Sequence, residues 1–77
     1  MTYTNALQVF FQRLNYKHSI KGDSFLSMNH NELEGIVLDE VREWEDCDKL
    51  THHELEELTD IMVACTIKLE KLLRDEE

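Results

Sequence analysis

Apolar residues recur along this chain at spacings of three and four, the repeat of an amphipathic helix, and nowhere in the strict alternation of a half-buried strand. Leu7, Phe10, Phe11 and Leu14 form the first stripe and predict a helix from about Thr4 to Tyr16. The polar stretch Lys17 to Asp23, ending in the turn pair Gly22-Asp23, is expected to break it. Ser24 to Asn31 is ambiguous, with Phe25, Leu26 and Met28 able to lie over a core. A second helix should begin near Asn29 or Asn31, where Asn29 and Glu32 are spaced as a cap pair, and run to about Cys47. Thr51-His52-His53-Glu54 fits a capping box and opens a third helix that continues toward the C-terminus. Its main stripe is Leu55, Leu58, Met62, Cys65, Leu69 and Leu72, read as the packing seam. The short Asp48 to Leu50 connection implies that the second and third helices are antiparallel neighbours.

The expected fold class is therefore all-α, three helices in a single domain spanning residues 1–77. A chain of 77 residues buries little of its surface, and the middle of the third helix is apolar nearly all round through Val63, Ala64 and Ile67. Both facts point to a core completed by other subunits. Two cysteines make no disulfide scaffold, and no N-terminal apolar segment resembles a signal peptide. The apolar run Ile61 to Ile67 is too short to span a bilayer. A soluble, cytoplasmic protein is expected. Eight Lys/Arg against 17 Asp/Glu give a formal charge of −9, which disfavours direct nucleic-acid binding. Any anionic substrate needs a metal ion or a few placed basic residues beside it.

The acids are informative where they refuse the polar face. On the second helix Leu33, Ile36, Val37 and Trp44 form one apolar arc, with Val41 at its edge. Glu40 falls inside that arc and Glu43 beside Ile36, whereas Asp39, Arg42 and Asp46 lie opposite. A buried carboxylate demands a cation, strong donors or a proton. On the third helix Glu57 and Asp60 share a flank with Ala64 and Ile67. Two such pairs on adjacent helices can surround one small volume, and Mg²⁺ is the ion that suits oxygen ligands while keeping positions free for water or phosphate. The plainer alternative is a solvated acidic face, with Glu40 paired to Arg13, Lys17 or Lys21. Cys47, His52 and His53 form a weaker cluster whose spacing matches no standard zinc site.

Asp39-Glu40-Val41-Arg42-Glu43-Trp44, followed by Glu56-Glu57-Leu58-Thr59-Asp60-Ile61, resembles the ExxE…ExxD signature of the MazG-like all-α nucleoside triphosphate pyrophosphohydrolases. The likeness covers about half of the chain, from Leu33 to Leu73. It implies a helical bundle assembled as a homodimer or homotetramer, with Mg²⁺ held by Glu40, Glu43, Glu57 and Asp60. It further implies cleavage of the α–β phosphoanhydride of a nucleotide substrate, giving the monophosphate and pyrophosphate. Glu40 and Glu43 are the candidate catalytic residues, and Arg13, Lys17 and Lys21 are candidates to hold the substrate phosphates. The reading from another class is a non-catalytic acidic helical protein, an inhibitor or nucleic-acid mimic. It expects Glu40 paired internally and Glu43, Glu57 and Asp60 turned to solvent.

Overall fold

The computed structural model describes residues 2–75. Among them there are three α-helices and no strand: α1 (Thr4–Lys21), α2 (His30–Asp46) and α3 (His52–Asp75), with a short 3-10 turn at Ser24–Ser27. No helix is long and apolar enough to cross a membrane.

The first helix runs five residues past the predicted end at Tyr16. Nothing between Lys17 and Lys21 forbids helical backbone, so polarity alone does not stop it. Gly22 does. Its φ of +58° is open to glycine and strained for other residues, and its N–H closes on the His18 carbonyl at 2.7 Å. The second helix starts on a complete capping box. The Asn29 side chain accepts from the Glu32 N–H at 2.8 Å, and the Glu32 carboxylate accepts from the Asn29 N–H at 3.3 Å. At its other end the Lys49 ammonium donates to the Glu45 and Cys47 carbonyls at 3.0 and 3.1 Å, favourable at the negative end of a helix dipole.

The reciprocal box expected at Thr51 and Glu54 is not made. The Thr51 hydroxyl accepts from His53 N–H, while the Glu54 carboxylate takes the Leu50 N–H and the Trp44 indole N–H, both at 2.9 Å. That carboxylate therefore ties the end of α2 to the start of α3, and its partners hold it below the usual carboxylate range. At the opposite end His30, first in α2, bonds Lys68 and Asp75 of α3. Leu50, 97% exposed and at φ +63°, turns the chain between them.

The long helix α3 is the spine on which α1, α2 and the 3-10 turn all pack. Its buried side is Thr59, Val63 and Ala64, and on α2 Leu33 is the most buried side chain described. Thr59 satisfies its hydroxyl within the helix, donating to the Leu55 carbonyl at 2.6 Å. The stripe read from the sequence as the seam faces the other way. Leu55, Leu58, Met62, Leu69 and Leu72 are 42–56% exposed, and Cys65 is exposed rather than a core residue. A helix apolar on two faces can bury only one against the two neighbours this chain supplies. Phe11 is exposed, while Phe10 and Trp44 are half-buried.

Candidate metal centre

Glu40 stands seven residues after Leu33, which at 100° per residue returns it to within about 20° of the same helix face. Its backbone position therefore follows the most buried residue of α2. On α3, Asp60 sits one turn before Ala64, and Glu57 one turn before Asp60, so both share the inward flank. Their side chains are 15% (Glu57) and 11% (Asp60) exposed. The packing that buries Thr59, Val63 and Ala64 thus draws three acids together. Glu40, Glu57 and Asp60 each offer an oxygen within 4.8 Å of the other two. They are the one His/Cys/Asp/Glu group of three or more among the described residues so placed; Cys47, His52 and His53 are not brought together.

Two oxygens of this group of acids have no hydrogen-bond partner. Glu40 Oε2 and Glu57 Oε2 are buried from solvent and accept no hydrogen bond. A buried acceptor left unsatisfied costs about 1–3 kcal/mol, more when charged. Burial is the largest cause pushing the Glu40 carboxyl up to about 7, followed by the charges of Glu43 and Asp60. Glu57 is raised for the same reasons, burial first and then Glu43 and Asp60. Glu43, though exposed, lies near enough for its charge to raise both of them.

The cations are unevenly placed. Arg13 of α1 grips Asp60 with two bonds, Nε to Oδ1 at 2.7 Å and Nη2 to Oδ2 at 3.3 Å. The hydrogen bond to Asp60 is the main cause that raises the Arg13 guanidinium further. Lys17 lies one turn on and lines a hollow of about 200 Å³ with Glu40, Asp60, Phe25, Ile36 and Ile67. Lys21, the last residue of α1, is exposed. Four carboxylates thus face two cations, and full ionisation leaves two surplus negative charges, the charge of one divalent ion. The donors are all carboxylate oxygens, the chemistry of Mg²⁺ and Ca²⁺ rather than of zinc. The residues fit such an ion.

Of the residues singled out from the sequence, Glu40, Glu57, Asp60, Arg13 and Lys17 converge, Glu43 borders them and Lys21 stands off. His53 is an addition. Its Nε2 comes within 3.9 Å of Glu57 Oε1, an i,i+4 relation visible in the sequence. Phe25 is another, carried into the wall of the hollow by the 3-10 turn. No protein-family model, no curated protein and no solved structure matches the chain.

Proposed function

We propose that this chain is a Mg²⁺-dependent nucleoside triphosphate pyrophosphohydrolase of the MazG-like kind. The observation that carries the reading is the pair of buried, partnerless oxygens on Glu40 and Glu57, within reach of Asp60. The acids come from the two motifs of the resemblance, one on each of two helices whose opposite ends meet through Trp44–Glu54 and His30–Asp75, which supports an antiparallel pair. The inward placement of Glu57 and Asp60 favours this reading over an acidic protein that displays them to solvent.

In this scheme Glu40, Glu57 and Asp60 would hold the ion, with Glu43 beside these three acids. When bound, Mg²⁺ would screen the phosphate charge and acidify the attacking water. Glu43, bordering the group and open to solvent, would be the residue placed to accept a proton from an attacking water. Arg13 releases one or both of its bonds to Asp60 and turns its guanidinium to the phosphates, a geometry it matches well. Lys17 steadies the remaining phosphate charge. Water adds across the α–β anhydride, and pyrophosphate leaves.

The reading includes self-assembly. The chain exposes 5828 Å², against roughly 4,900 Å² expected of a folded monomer of its 9.2 kDa. The excess is comparable to the ~800 Å² that each partner contributes to a stable interface. The bare Leu55-to-Leu72 seam is the face to be covered, in a homodimer or homotetramer. Both cysteines are free, which suits a reducing, cytoplasmic compartment.

The test is incubation with a panel of ribo- and deoxynucleoside triphosphates and Mg²⁺, scored for pyrophosphate. Release that is abolished in Glu40→Gln and Asp60→Asn, both still folded, supports the reading. No release from any nucleotide, or full turnover in those variants, rejects it.

A further inference from the structure

Beside the hollow that holds Glu40 and Asp60 lies a larger one of about 360 Å³ between α1, the 3-10 turn and α3. The two share Lys17, Phe25 and Ile67 in their walls. Its volume falls within the roughly 300–1,000 Å³ typical of small-molecule sites. Leu14 and Leu26 extend the apolar wall begun by Phe25 and Ile67.

The polar groups differ between the ends of this paired space. At the far end the basic groups already have acidic partners: His18 Nε2 lies 3.4 Å from Asp23, and Arg74 Nε donates to Glu70 at 3.0 Å. That end has no unpaired cation and offers both donors and acceptors, with the Asn15 amide among them. It suits a planar polar heterocycle better than a phosphate. At the junction stands Lys17, which forms no hydrogen bond or ion pair among the described residues. Lys17 lines both hollows, the one that holds Glu40 and Asp60 and the larger one.

We infer that the hollow between α1, the 3-10 turn and α3 is the nucleobase site, with Lys17 at the junction directing the phosphate chain toward Glu40 and Asp60. This rests on the proposed nucleotide chemistry and adds to it the direction in which the substrate lies. The base packs between Phe25 and Ile67, its edge met by Asn15 and His18. The triphosphate passes Lys17 into the acidic hollow.

The experiment follows backbone amide shifts of the full chain on titration with three probes: the free nucleosides of the common bases, inorganic tripolyphosphate with Mg²⁺, and α,β-methylene nucleoside triphosphates with Mg²⁺. Nucleosides are expected to move Gly22, Leu26 and Ile67 without metal, and tripolyphosphate to move Glu40 and Asp60. Asn15→Trp fills the hollow from an exposed helix position and should weaken binding of the triphosphate analogue at least tenfold, with tripolyphosphate binding unchanged. Asn15→Ala, which removes the edge contact but leaves the space open, should weaken the analogue clearly less than Asn15→Trp does. Loss of all Mg²⁺-dependent binding, with nucleosides still shifting Gly22, Leu26 and Ile67, defeats the pyrophosphohydrolase reading and keeps the base site. Nucleoside shifts elsewhere or absent, or unaltered analogue affinity in Asn15→Trp, overturns the base site whatever the metal does.

Discussion

Glu40→Gln should stabilise the metal-free protein, and only at neutral and alkaline pH. The Glu40 carboxyl titrates at about 7 in the fold against an ordinary 4.5, chiefly because it is buried and then because Glu43 and Asp60 face it. Below pH 4.5 both folded and unfolded chains carry the proton, and no penalty exists. Between 4.5 and 7 the unfolded chain ionises while the fold keeps its proton, so stability falls as pH rises. Above 7 the whole penalty is present. Unscreened it would be ~3 kcal/mol. Glu40 is only half-buried, and solvent screening with Lys17 nearby reduces this to about 1–2 kcal/mol. Glutamine keeps the shape and removes the charge, so it recovers that amount at pH 8 and almost nothing at pH 5. For a domain of this size the gain is a rise in Tm of roughly 4–15 °C. The assay is thermal unfolding by circular dichroism, with chelator present, at pH 5 and pH 8. A Gln variant less stable than the parent at pH 8, or offset equally at both pH values, would refute the reasoning.

Three further outcomes are expected. Arg13→Gln strips the inward-facing Asp60 of its two-bond partner and should lower metal-free stability by about 1–3 kcal/mol in urea unfolding, a loss that saturating Mg²⁺ restores if the ion takes over that carboxylate. The two glycines should respond in opposite directions. Gly22→Ala has free space around it but must adopt a φ of +58°, losing about 1–3 kcal/mol, whereas Gly35→Ala, also unobstructed and inside α2, should gain about 0.5–1 kcal/mol. Leu58→Lys with Leu69→Lys, on the exposed seam, should shift sedimentation from the assembled species to the single chain while leaving helix content unchanged; a parent already monomeric at working concentration contradicts the assembly proposal.

Helix periods made the three helices legible, and the phase of Glu40 within the Leu33–Trp44 arc already marked it as an inward acid. Phase did not reveal which apolar face of α3 the chain would cover. The larger residues, Leu55 through Leu72, form the more hydrophobic stripe, yet Thr59, Val63 and Ala64 are the ones buried. The same choice turned Glu57 and Asp60 inward, so the acids were better placed than the seam they were read against. Polar residues 17–21 continue α1, and the break comes at Gly22, whose positive φ the residue pattern does not reveal. Glu54 fits a local capping pattern, but a stronger pair of donors, Leu50 N–H and the Trp44 indole, is supplied by the turn between α2 and α3. The Arg13–Asp60 pair joins residues 47 apart, and no local pattern encodes it.

Paramagnetic Mn²⁺ in place of Mg²⁺ tests the acidic centre most directly, because its broadening of amide signals reports position regardless of catalysis. Sub-stoichiometric Mn²⁺ is expected to erase signals around Glu40, Glu57 and Asp60 first, excess Mg²⁺ to restore them, and Asp60→Asn to lose the effect. Broadening spread evenly over the exposed acids, or untouched by Asp60→Asn, would contradict a divalent ion held between α2 and α3.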